Sequence, residues 1–289
     1  MAMEKSKQLI SNHKLRKILS FVLAFLLSLS LLGITVLGSV KNGLFSTRTI
    51  LKLMDEEYCA AVRQKTEEAL SDYTIPTGID TWVVDDVVTV SDVTTDVKGY
   101  IYAAFSGSEY TPNTTLMDER IKENVVKFFD ENSAELDHDT DEIIDKFIAE
   151  LDAVYTRSIQ LRIISAVVRA NKVFSKFYMP ALIALLILSV ILGAVCVKLH
   201  HYPHRGMRYV AYAAGAAALM SAIFPTILLV SGRYKHLRFE PEHFYKLAIN
   251  YIRGFLMQFI WAAAIWLFVM ALLIVIVYLL RKEKIKSEN

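Results

Sequence analysis

Four stretches of the chain, Ile18–Val40, Tyr178–Val197, Tyr209–Val230 and Phe255–Leu280, contain no Asp, Glu, Lys, Arg or His. Each has about the 20 or more residues that a helix rising ~1.5 Å per residue needs to cross a hydrocarbon core of about 30 Å. The pattern predicts four transmembrane helices. Between the first two, the periodicity is amphipathic and helical. From Thr47, apolar residues at Ile50, Leu51, Met54, Tyr58, Ala61, Val62 and Leu70 recur every three or four positions, up to Pro76 and Gly78. The Val-rich "WVVDDVVTV" (82–90) has strand propensity but no partner strand in view, so a short helix is expected over 79–88, with Ser91 capping the helix that follows. A further helix is read at "LMDERIKENVVKFFDEN", closed by Asn132-Ser133. From Ile144, apolar residues at 148, 151, 155, 159, 163 and 167 predict one stalk running unbroken to Pro180.

The fold class is therefore all-α: a four-helix transmembrane bundle with a helical extracytoplasmic domain inserted between helices 1 and 2. The expected segments are a basic N-terminus (1–17), TM1 (18–40), the inserted domain (41–177), TM2 (178–197), a short loop (198–208), TM3 (209–230), a loop with an amphipathic helix (231–254), TM4 (255–280) and a tail (281–289). TM3 is rich in small residues (Ala211, Ala213, Ala214, Gly215, Ala217, Ala218, Ser221), which permit close helix approach in lipid and place it at the bundle centre. Pro225 is expected to kink it. "EPEHFYKLAINYIRGF" reads as a helix lying at the outer surface. TM1 far exceeds the roughly 7–15 apolar residues of a signal peptide, which favours an uncleaved anchor.

Charge refines this layout. The net charge is +2, yet residues 41–177 hold 25 acidic against 15 basic residues. An acidic domain repels phosphates, so nucleic acid is not an expected partner. Twelve Lys and Arg would lie on the side of the N-terminus and eleven on the other. The compact basic start before TM1 decides the orientation, with both termini cytoplasmic at the cell membrane. Cys59 and Cys196 fall on opposite sides of the bilayer in this layout, so no internal disulfide is expected.

Little of the sequence looks like chemistry. "ELDHDTDEIIDKF" (135–147) places Asp137, Asp139 and Asp141 at the first three EF-hand ligand positions, but Glu142 stands where the turn needs Gly and Ile148 where the loop needs Glu. An acidic helix start, capped by Asp139 or Thr140, explains the run with less. His200, His201 and His204 share a loop, but Pro203 spoils the i, i+4 alignment that zinc would want, and the loop reads as a polar turn. No catalytic, cofactor or metal residue is assigned, and no enzyme is expected. The candidate site residues are basic: Arg162, Arg169, Lys172 and Lys176 before TM2, with Arg233, Lys235 and Arg238 after TM3, placed to contact anionic lipid headgroups. The acidic domain is the candidate surface for a protein partner. No ionisable residue interrupts a span, which argues against a conducting role.

Two resemblances complete the reading. "STRTILKLMDEEYCAAVRQKTEEAL", "TIPTGID" and "TVSDVTTDVKGYIYAAFSG", followed by the helix into "FYMPALIALLILSVILG", look like uncharacterised Gram-positive membrane proteins of this layout; the likeness covers most of the chain and brings no activity or functional residues. The order of one helix, an outer domain and three further helices resembles FtsX-like and MacB-like permease subunits, which implies a cytoplasmic ATPase partner. The leading expectation is a sensor, scaffold or regulator that binds a partner or envelope component, with a permease-like subunit as the alternative.

Overall fold

The computed structural model describes residues 2–131, 138–160, 162–200, 202–237 and 242–288. Its helices, in chain order, are α1 (Ala2–Ser39), continued by one π-helical stretch (Val40–Leu44), α2 (Thr47–Leu53), α3 (Glu56–Thr74), α4 (Val90–Ser106), α5 (Thr115–Glu131), α6 (His138–Ile159), α7 (Arg162–Lys198), α8 (Pro203–Ser231) and α9 (Glu242–Glu288), with short 3-10 turns at Ile75–Thr77, Thr81–Val84 and Arg233–His236. No strand occurs among the described residues. The all-α class stands. Four helical stretches, Leu15–Leu44, Ile163–Lys198, Pro203–Ser231 and Tyr245–Lys282, are long and apolar enough to cross a membrane.

The chain divides into two compact units. The span unit comprises residues 1–44, 172–237 and 252–289. In it α1 packs on α8, and Ala24 and Leu27 of α1, Leu192 of α7 and Ala213 of α8 form one buried cluster. The small face of α8, from Ala211 to Ser221, is buried as its composition predicts. Ser30 Oγ of α1 lies 2.7 Å from Ser189 Oγ of α7, and the Leu185 carbonyl accepts from Ser189 at 2.8 Å. The outward faces are apolar: Val190 is 71 % and Phe268 69 % exposed. In water such surface would be costly, and acyl chains are the solvent that suits it.

The intervening unit comprises residues 45–171 and 238–251. Its core runs through Tyr58, Leu70, Val84, Val97, Ile121, Leu151 and Tyr155, and draws Ile164 and Val168 from the start of α7. The Val-rich stretch forms no strand because its groups are satisfied from α5. Arg120 donates to the Val87 carbonyl at 2.8 Å and Asn124 to that of Val83 at 3.0 Å, while Val83, Val84, Val87 and Val88 are buried. The expected short helix at 79–88 is one 3-10 turn, Thr81–Val84.

Several element boundaries depart from expectation. The face beginning at Thr47 is split between α2 and α3 because Asp55 caps a new helix, accepting from the Tyr58 N–H at 2.9 Å. Thr89, not Ser91, caps α4, through a reciprocal capping box with Asp92. Asp139 and Thr140 already lie within α6, so neither precedes its start, and Asp137 lies outside the described residues. The expected stalk is two helices: α6 ends at Ile159 and α7 begins at Arg162. The buried positions 151, 155 and 159 resume at Ile164 and Val168, while Ile163 is exposed. That five-residue step turns a regular helix by about 500°, roughly 140° past a full turn, so an unbroken helix cannot bury both sets on one face. Pro180 sits inside α7 and does not end it. Residues 242–254 form no separate surface helix. They are the first turns of α9, and Leu247 and Tyr251 pack against the core of the intervening unit, so this apolar face is covered by protein.

Candidate functional site

The basic residues singled out above divide into two groups. Arg162 opens α7. Arg169, Lys172 and Lys176 are exposed and stand at i, i+3 and i+7 of α7, hence on one helix face. Arg233 and Lys235 are exposed on the 3-10 turn that follows α8, and Arg238 lies outside the described residues. Within the span unit the structure adds a cation that sequence order hides. Lys41 Nζ, on the π-helical stretch, donates to Ser175 Oγ at 3.2 Å and lies 5.9 Å from the Tyr178 ring centroid. Lys41 thus joins Lys172 and Lys176 at the head of the apolar part of α7, although 131 residues separate Lys41 from Lys172 in sequence. The only early signal for Lys41 was a positive charge one residue beyond the first apolar stretch.

The histidine loop is built from ring contacts. His200 stacks on Tyr209 with centroids 5.2 Å apart, and its Nδ1 lies 3.2 Å from the Cys196 carbonyl. His204 stacks on Tyr202 at 5.7 Å, and Arg205 covers the same ring at 5.3 Å. His201 lies outside the described residues. No cluster of three or more His, Cys, Asp or Glu able to hold a metal is found among the described residues. Cys59 and Cys196 are both buried free thiols.

The intervening unit holds a polar centre that the periodicity concealed. Asp96 falls on the buried face of α4, between Val93, Val97 and Ile101, and is 4 % exposed. Tyr155 of α6 donates to its Oδ2 at 2.5 Å, and Tyr110 of the α4–α5 loop donates to its Oδ1 at 2.7 Å. Each carboxylate oxygen therefore has a donor, which is what a buried charge requires. Burial, and then the neighbouring carboxylate, pushes the Tyr110 hydroxyl up to about 12 and raises that of Tyr155 further. Both keep their protons at neutral pH. The signal available in advance was an Asp at an apolar phase of α4. A cavity of about 120 Å³ beside this centre is lined by Val88, Asp92, Asn113, Met117 and Tyr155.

A larger groove, about 410 Å³, lies between α3 and the first turns of α9 within the same unit. Its floor is apolar (Leu53, Ala61, Leu247) and its rim polar (Asp55, Glu57, Gln64, Asn250), with Lys246 Nζ donating to Glu57 Oε1 at 2.5 Å. The groove suits a short amphipathic segment. It brings together no nucleophile and base.

No protein family, curated protein or solved structure matches the chain. The fold alone therefore defines the class, an all-α chain with four helices suited to crossing a membrane.

Proposed function

We propose that the chain is a non-enzymatic, multi-pass protein of the cell membrane, with both termini cytoplasmic, whose intervening unit receives a partner or envelope component outside the cell and passes its state to the span unit. One observation carries this reading: α7 is a single helix that contributes residues 162–171 to the intervening unit and 172–198 to the span unit. A helix is stiff along its axis because each turn is hydrogen-bonded to the next, so rotation at one end is felt at the other. The groove beside Glu57 and Lys246 is where a partner segment would sit, and Lys41, Lys172 and Lys176 would hold lipid phosphates and fix the helix at the membrane surface. Arg169, Arg233, Lys235 and Arg238 would serve the same lipid contacts.

The coupling is tested by inserting one residue after Arg169 in the full chain in nanodiscs. Such an insertion turns the span by about 100° against Val168 and Ile164. Changed hydrogen exchange in α1 and α8 is the expected result, and unaltered exchange there would refute the coupling. Topology is tested with a cysteine at Gly107 and a membrane-impermeant thiol reagent on intact cells. Labelling is expected; protection would place the unit inside.

The order of one span, a large domain and three further spans favours a second reading, a permease-like subunit working with a cytoplasmic ATPase. Co-purification of a nucleotide-hydrolysing partner in mild detergent separates the two.

A further inference from the structure

Asp118 stands in the first turn of α5, and Asp152 lies on α6, the helix against which α5 packs. Their carboxyl groups are within hydrogen-bond reach of each other. Oδ1 of each is shut off from solvent, and neither meets a donor among the described residues. Two carboxylates this close repel unless a proton lies between them, and a single shared proton links the two groups.

We propose that Asp118 and Asp152 form a one-proton clasp between α5 and α6, open when both carboxylates are charged and closed when they share a proton. The surroundings leave this role to the proton. Thr114 donates to Asp118 Oδ2 at 3.2 Å and also reaches Asp152, but it has only one hydrogen to share. On α5, Arg120 is 3.7 Å from Asp92 and Lys122 is 3.6 Å from Asp145 of α6, so both of these cations have another carboxylate beside them. From α4 come Asp96, whose oxygens are taken by Tyr110 and Tyr155, and Asp92, which Arg120 faces. From α3, Tyr73 turns its ring to Phe147, and the Thr81–Val84 turn brings Trp82 against Phe128. Burial first, and then Asp118, raises the Asp152 carboxyl to about 6 from an ordinary value of 3.8.

The sign follows from that upward shift. The folded pair binds its proton at a pH where the unfolded chain has lost it, so α5–α6 packing gains stability as pH falls through about 6, and the gain is complete below the unfolded value of 3.8. The inference deepens the reading of this unit as the receiving part of the protein by naming the proton as what it receives. Exchange within α5 and α6 reads the clasp, whereas insertion in α7 reads the coupling, so either can fail alone.

The test is hydrogen exchange of the full chain in nanodiscs at about pH 5 and about pH 7.5, corrected for the chemical rate. Amides of α5 and α6 in the natural protein should be protected about three- to tenfold more strongly in acid. Asp152→Asn supplies a permanent donor, so its protection at about pH 7.5 should match the acid value and lose its pH dependence. Asp118→Asn offers the same donor from the opposite helix and should behave alike. A natural protein with flat protection overturns the clasp, as does an undiminished pH dependence in either variant or destabilisation of α5–α6 by both.

Discussion

Tyr155 on α6 donates its hydroxyl to Asp96 on α4 at 2.5 Å, and both residues are almost wholly buried. This bond ties two helices of the intervening unit through a charge taken out of water. A buried carboxylate that loses a donor keeps its desolvation cost and loses the compensation. Tyr155→Phe preserves the ring and removes only that donor, so it should cost the unit about 1–3 kcal/mol. Denaturant midpoints of the full chain, or exchange protection in α4 and α6, measure the loss. Unchanged protection would mean that Tyr110 alone satisfies Asp96.

The same centre sets an alkaline limit. Tyr110 is held near 12 against an ordinary 10.0, and Tyr155 is raised further, in each case by burial first and then by Asp96. Between those values the unfolded chain gives up protons that the folded chain retains. The tyrosines' contribution is therefore intact below about pH 10 and is lost as pH rises towards 12. Melting of the intervening unit should fall over that window, and Tyr110→Phe should make the fall shallower. A slope that the substitution leaves unchanged would count against the assignment.

The spans were legible because an uninterrupted apolar run has few physical meanings at that length, and the burial of the small face of α8 followed from Ala213, Ala214, Ala217 and Ala218 alone. Amphipathic phase also gave the helices of the intervening unit. Their ends were less visible. Periodicity reads faces, and the caps at Asp55 and Thr89 lie inside a continuing pattern. The break between Ile159 and Arg162 was hidden for a related reason, since apolar residues on both sides satisfy either phase and only tertiary burial selects Ile164 over Ile163. The polar centre escaped notice because its three members, Asp96, Tyr110 and Tyr155, are far apart in sequence and each is unremarkable alone. Leu247 and Tyr251 looked lipid-facing because amphipathicity does not say whether lipid or protein covers an apolar face.

Close helix approach in the span unit gives a third prediction. A Cβ on Gly206, near the start of α8, would lie 2.5 Å from the Val197 Cα and 2.6 Å from the Cys196 carbonyl oxygen. Both are backbone atoms of α7 and cannot swing aside, so Gly206→Ala must part the two helices, at about 1–3 kcal/mol. Gly38 is the control, because a Cβ there meets nothing within 4 Å and alanine relieves the helix cost of glycine. Size-exclusion profiles after graded heating in detergent should show earlier loss for Gly206→Ala and none for Gly38→Ala. Equal profiles would mean that the α7–α8 turn tolerates expansion.

A fourth prediction concerns the indole N–H of Trp266 on α9, which donates to Thr35 Oγ1 of α1 at 2.8 Å, while Thr35 in turn donates to the Leu31 carbonyl at 3.1 Å. The pair lies in a crevice of about 250 Å³ with Gly38, Ser39, Gln258 and Trp261. The two partners are not equivalent. Without Trp266, Thr35 still bonds to its own helix, but without Thr35 the indole N–H has lost its acceptor in an apolar setting where water does not replace it. Thr35→Val should therefore destabilise the span unit more than the hydrogen-bond share of Trp266→Phe. A double-mutant cycle isolates the bond from the loss of ring area and should give a coupling of about 0.6 kcal/mol, reaching about 1.7 at most. Zero coupling would show that the α1–α9 contact rests on packing alone.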